Sequence, residues 1–293
     1  RTRSPRGGRS PKEDLVSIES VAIIGTGTMG RALGMGLVRE GVVPADKVRG
    51  TVKHDREADT VNELVEFPVG IDNILAAANA DVILLCTKPK QAADVVSELA
   101  QGGALSHGPL LVSIAAGVST SELEWAAGEP IRVVRAMPNT PCLIGQGMVV
   151  LSRGSHASDE DVDTAESLFR PLARTTRLDE EHMDAVTGLS GSGPAFIYVI
   201  IEALSEGGVM TGLPRKVATE LAAQTVVGAA RMVLDTGRHP AALKDDVTTP
   251  AGCTISALLA LEDGRLRSVL ARGVQEAARS AAGLGGDKGG KDQ

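Results

Sequence analysis

Between Val21 and about Leu178 the chain alternates short β-branched runs with longer stretches in which apolar residues recur at three and four. VAII, VRGTV, DVILLC, LLVSI, IRVVRA and MVVLS are the apolar runs; GRALGMGLVRE, READTVNELV, KQAADVVSELA, STSELEWAA and EDVDTAESLF are the helical stretches. Strands alternating with helices in this way predict a parallel sheet covered on both faces. After Glu180 the β-rich runs stop. FIYVIIEALSEGGVMTG, PRKVATELAAQTVVGAARMVLDTG, SALLALED and SVLARGVQEAARSAAG keep a helical period, with Gly or Pro at the joins. The pattern predicts an α/β domain over 19–178 and an all-α domain over 179–285, with a disordered arm at 1–18 and a tail at 286–293. Ala and Gly on several faces of the later helices allow close packing, including against a second subunit.

Composition narrows the function. The 293 residues are 43% apolar, enough to build real cores. Aromatics are only 2%, which leaves little to stack on bases or sugars. Net charge is −7, and because residues 1–12 carry five cations and no acid, the remainder stands at −12. Such a body repels phosphate backbones, so no nucleic-acid partner is expected. Cys86, Cys142 and Cys253 are too few and too far apart for a disulfide framework or a C-x-x-C pair, which points to a reducing compartment. Cytoplasm is expected ahead of mitochondrion, although the Arg- and Ser-rich arm has the composition of a transit peptide. No uninterrupted apolar run reaches the roughly 18 residues of a membrane span, so a soluble protein is expected. The five histidines lack ligand spacing, and no metal is expected.

VAII runs straight into Gly25-Thr26-Gly27-Thr28-Met29-Gly30 and then a helix. This is the context a dinucleotide fingerprint needs: Gly25 for the tight turn, Gly27 for close approach of a pyrophosphate, Gly30 for packing of helix on strand. A Rossmann-like first domain follows. After VRGTV the chain offers Lys53 and His54 where an acid would grip an unphosphorylated ribose, so NADPH is expected ahead of NADH. Three small-residue loops follow later strands: Cys86-Thr87-Lys88-Pro89, Ala115-Ala116-Gly117-Val118 and Met137-Pro138-Asn139-Thr140-Pro141. Together they predict a cofactor cleft along one sheet edge.

TGLSGSGPAF (187–196), GLPR (212–215) and HPAALKDDVTTPAGCTISALLALE (239–262) resemble the pyrroline-5-carboxylate reductases, and the resemblance extends over roughly residues 20–284. It implies reduction of 1-pyrroline-5-carboxylate to L-proline, the last step of proline biosynthesis. It also implies a helical dimerisation domain that interlocks with its partner, giving a homodimer and, from it, rings of dimers. Carried over to this chain, the phosphate loop falls on Gly25 to Gly30 and further cofactor contacts on Asn73, Thr87, Lys88, Pro89, Ala115 and Gly117. The substrate region falls on Glu180, Thr249, Gly252, Cys253 and Thr254. Thr87 stands where Val is usual, Cys253 where Thr or Ala is usual, and Asp246 where several members carry Asn.

A cyclic imine is basic enough to take its proton from water or a weak donor, so no His or Lys acid is required. The site must instead orient the ring and hold its carboxylate. A helix starting near Thr254 offers free N–H groups for that carboxylate, and the Thr254 hydroxyl can reach the imine nitrogen. Read locally, Thr249 or Thr254 is a helix cap; the resemblance favours the catalytic role for Thr254. Ser190 and Ser192 read as part of a tight glycine-rich helix start rather than a nucleophile elbow, which needs a preceding strand. Two other readings are a 3-hydroxyacid-type dehydrogenase, whose Lys and Asn one helical turn apart are missing from GLSGSGPAFIYVIIEAL, and a non-catalytic NADPH-binding sensor.

Overall fold

Every residue of VAII is buried, and its side chains alternate between two separate cores. Val21 and Ile23 join one cluster, Ala22 and Ile24 the other. A strand buried on both faces must be covered on both by helices, which is why the run is apolar without alternation. The computed structural model describes residues 18–284; apart from Ile18, the arm and tail expected at the termini lie outside the described residues.

The first part of the chain is β1 (Val21–Ile24), α1 (Thr28–Arg39), β2 (Val48–Thr51), α2 (Asp55–Asn62), β3 (Val69–Gly70), α3 (Asn73–Ala77), β4 (Val82–Leu85) and α4 (Pro89–Gln101). It continues through β5 (Leu110–Ser113), α5 (Thr120–Ala127), β6 (Arg132–Pro138), β7 (Gly147–Arg153), α6 (Asp159–Phe169) and β8 (Ala173–Arg177). The strands form one sheet in the order β3-β2-β1-β4-β5-β6-β7-β8. The order reverses between β1 and β4, the switch point at which such sheets bind ligands.

The sheet departs from the all-parallel expectation at one place: β6 and β7 pair antiparallel, with Met137 opposite Val150. MPNTPCLIG between them holds only a 3-10 turn, Thr140–Ile144, too short for the crossover a parallel partner needs. Two strands were not expected. β3 is two residues long, and β8, ARTTR, is a largely exposed edge strand without an apolar pattern.

The later helices are α7 (Met183–Val186), α8 (Gly193–Met210), α9 (Arg215–Thr236), α10 (Pro240–Asp246), α11 (Cys253–Asp263) and α12 (Leu266–Ala282). The chain divides into two compact units: one runs to Gly191 and resumes at Ala278, the other is Ser192–Ala277. In the second unit α8 packs on α9 through small residues, with Ser205, Ala218 and Ala222 buried. Their other faces are apolar and exposed, including Tyr198, Val199, Leu204, Leu221 and Met232. By length and composition alone, Glu180–Met210 and Arg215–Thr236 could each cross a bilayer.

α1 lies close on the sheet because its inward face carries Gly34, where a Cβ would come within 2.6 Å of Ile23 and of the buried Phe67 ring. Gly34→Val is therefore expected to cost about 1–3 kcal/mol by overpacking, read as a lower denaturation midpoint in urea at unchanged m-value.

Candidate functional site

Gly25 leaves β1 at φ +98°, a conformation that strains any residue with a side chain. A Cβ there would lie 2.9 Å from the Cys86 carbonyl group, and one on Gly30 would overlap the Gly25 carbonyl oxygen. The loop is thus pressed by its backbone against the end of β4. α1 starts with Gly27 as its cap residue and no capping side chain, and the space beside Gly27 is open. That space belongs to a cavity of about 1080 Å³ whose wall includes Gly25, Thr26, Gly27, Thr28, Asn73, Thr87 and Lys88. The uncapped helix start offers N–H groups and a positive dipole end to an anion. The hydroxyls of Thr26 and Thr87 are buried without a hydrogen-bond partner among the described residues, which leaves the wall with polar groups still to satisfy. Volume, open cradle and donor set fit a dinucleotide.

Not every expected residue lines this cavity. Met29 packs against the core, Gly30 serves the close approach just described, and Pro89 is the first residue of α4, a position suited to a residue without an N–H. Ala115 and Gly117 follow β5, with Gly117 at φ +77°. The Asn73 amide donates to the Glu98 carboxylate at 3.1 Å. Burial pushes the Cys86 thiol up to about 12, so it stays protonated and is no nucleophile.

At the end of β2, Lys53 and His54 line the same cavity. Arg56, the second residue of α2, and Arg31 of α1 line it too, beyond the positions that the strand-end pattern marks as cofactor contacts. Counting along α2 from its start at Asp55 was the signal available for Arg56. Among the described residues none of Arg31, Lys53 and Arg56 is held in an ion pair, so their charge is free for a ligand phosphate.

A helical run from Glu180 to Gly191 follows β6 toward its carboxyl end. Arg135, buried in β6, pairs with Glu180 at 3.3 Å and Asp184 at 3.4 Å. Farther along, a Cβ on Gly191 would lie 2.7 Å from the Met137 side chain, and the Asn139 amide donates to the Ser190 carbonyl at 3.3 Å. Residues Thr187–Gly191 form a π turn continuous with α7, not a fresh helix start. Such turns recur at functional sites. Glu180 accepts from both the backbone N–H and the hydroxyl of Thr120.

In the second unit, the loop before α11 turns at Ala251, whose φ of +54° is strained for a non-glycine residue. Gly252 is the cap residue and no side chain caps the helix. The capping roles weighed for Thr249 and Thr254 are therefore not taken: the cap position falls between them, on a residue with no hydroxyl. A Cβ on Gly252 would overlap the Thr249 hydroxyl and come within 3.1 Å of its carbonyl oxygen, so the glycine serves the loop's own packing as well as access. Cys253 is exposed and Thr254 half-buried. A hydrogen bond from Arg238 holds the Asp246 carboxyl below its ordinary value.

A family model described as pyrroline-5-carboxylate reductase dimerisation matches residues 180–284, and one described as NADP oxidoreductase, coenzyme F420-dependent, matches residues 20–117. The pyrroline-5-carboxylate reductase of Schizosaccharomyces pombe is 44% identical over 278 residues, covering 90% of this chain and 98% of the relative. That of Glycine max is 42% identical, covering 90% and 96%. A solved pyrroline-5-carboxylate reductase from Coxiella burnetii superposes with a TM-score of 0.82 at 34% identity, over 92% of this chain and 99% of that one. The Plasmodium falciparum enzyme, solved with NADP bound, gives 0.83 at 27% identity over 93% and 100%. With identity at this level across nearly the full length of its relatives, the chain belongs to the pyrroline-5-carboxylate reductase family.

Proposed function

We propose that the chain reduces 1-pyrroline-5-carboxylate to L-proline, with NADPH bound along the cavity at the ends of β1, β2 and β4. The observation that carries the cofactor half is the glycine loop: its backbone packs against β4 while its open side, an uncapped helix start, faces a cavity of dinucleotide size. Gly25, Gly27 and Thr28 would hold the pyrophosphate, with Thr26 and Thr87 offering hydroxyls and Asn73 and Lys88 further polar contacts. Lys53, His54 and Arg56 would receive the 2′-phosphate, and Ala115 and Gly117 would border the nicotinamide side. Bound there, the dinucleotide supplies the hydride.

The loop before α11 would receive the substrate. The carboxylate is held by the N–H groups that the cap at Gly252 leaves free, with Thr249 and Cys253 beside it, and the Thr254 hydroxyl donates to the ring nitrogen. The Thr254 hydroxyl, without a hydrogen-bond partner among the described residues, and the strained turn at Ala251 support this role. The working assembly is a homodimer. The exposed apolar residues of α8 and α9, and the match of 180–284 to a dimerisation family, support a second copy rather than a bilayer as their cover. The division of labour at 19–178 and 179–285 is supported by the family match over 180–284, while the compact units divide later, after Gly191. The free Cys86, Cys142 and Cys253 support a reducing, cytoplasmic setting.

Oxidation of NADPH on addition of 1-pyrroline-5-carboxylate, and not on addition of an acyclic 3-oxoacid, is the expected result; dinucleotide binding without turnover would instead mark a sensor. Replacing both Lys53 and Arg56 by Gln should raise KM for NADPH about tenfold, the loss of roughly 1.5 kcal/mol of charge-assisted bonding, and leave KM for NADH unchanged. Thr254→Ala should lower kcat by about 10- to 100-fold, the worth of one strong hydrogen bond, while the melting temperature moves little. An unchanged kcat would remove Thr254 from the chemistry.

A further inference from the structure

We infer that Glu180 is a positioning residue for the cofactor turn after β5, and not a contact of the substrate. Both of its carboxylate oxygens are already engaged. Oε1 accepts the Thr120 backbone N–H at 2.7 Å and Oε2 accepts the Thr120 hydroxyl at 2.6 Å. Thr120 is the first residue of α5, and its N–H is one of those a helix start leaves without an internal partner. The cap residue Ser119 serves the Glu122 N–H instead. Glu180 thus completes the cap from 60 residues away and places a negative charge at the positive end of the helix, where it is favoured.

The carboxylate is itself held in place. The Arg135 side chain, 6% exposed, donates to Oε1 and reaches Asp184 with its other nitrogen. A guanidinium buried in a central strand cannot follow its partner outward, so the three residues fix one another. Glu180 opens the helical run that follows β6 to the π turn, and Thr120 closes the turn that follows β5. The bond between them therefore sets the distance from that run to the segment carrying Ala115 and Gly117. The other end of the segment is fixed by β5, where the Ser113 hydroxyl accepts the Ala115 N–H at 3.3 Å. With both ends fixed, a turn of six residues between Ser113 and Thr120 has little freedom, and small displacements of binding groups are costly.

The inference rests on the proposed cofactor site, and two variants test it separately from that site. Thr120→Val removes the hydroxyl bond and leaves every ion pair of Arg135 intact; Glu180→Gln weakens both the cap and the link to Arg135. The dissociation constant of NADP⁺, by calorimetry, is expected to rise about fivefold in each. The double variant should be no weaker than Glu180→Gln alone, because both changes act on one link. KM for 1-pyrroline-5-carboxylate at saturating NADPH should stay within twofold. A raised substrate KM in Glu180→Gln with NADP⁺ binding unchanged would put Glu180 on the substrate and overturn the assignment. Lower melting temperatures with both constants unchanged would leave it a purely structural link, and additive losses in the double variant would show that the two residues act apart; either result also overturns it. Failure of the unmodified chain to bind NADP⁺ would instead overturn the cofactor reading, and this inference with it.

Discussion

The first unit depends on how closely a stretch of backbone can approach another stretch of backbone. The Gly25 turn leaves no room for a side chain against the end of β4, and Gly30 leaves none against the Gly25 carbonyl. That contact brings two strand ends together at the switch point and turns the open start of α1 toward the cavity. It also exacts a condition on the rest of α1, which must lie low on the sheet; Gly34 meets it by leaving Ile23 and Phe67 undisturbed. Cofactor geometry and core packing are thus two results of one steric constraint.

This part of the molecule was legible because the constraint is local. Each glycine of GTGTMG serves a purpose that can be stated from its neighbours in sequence, and Lys53 and His54 lie where the end of a strand must put them. The reversal at β7 was not legible in MVVLS, because direction is not written in the composition of a strand; the shortness of MPNTPCLIG carried the information. β8 is not legible in the sequence because an edge strand has no second face to bury, so ARTTR needs no apolar pattern. The start of α11 misled in a different way. Two threonines flank a glycine, and propensity assigns the cap to a hydroxyl, yet the backbone turn at Ala251 places Gly252 there.

Glu180 shows where reading along the chain ends. Its neighbours Glu181 and His182 suggest a solvated helix start, and nothing nearby in sequence names its partners. Thr120 is 60 residues away and Arg135 is 45. Only the folded sheet brings them together, through strands β5 and β6 that lie side by side. Resemblance can mark such a residue as important; its bonds to Thr120 and Arg135 are what point to a role in its own scaffold.

The outer faces of α8 and α9 bear on how the chain behaves as a population. A unit that leaves Tyr198, Val199, Leu204 and Leu221 exposed gains stability when another copy covers them, and that gain follows mass action. The folded fraction would then rise with the amount of chain present, and a scarce chain would be a less stable one. In the proposed homodimer, copies that fold but carry a defect confined to the proposed substrate loop before α11 would still be drawn into mixed assemblies, whereas a defect that prevents the second unit from folding would stay with its own copy.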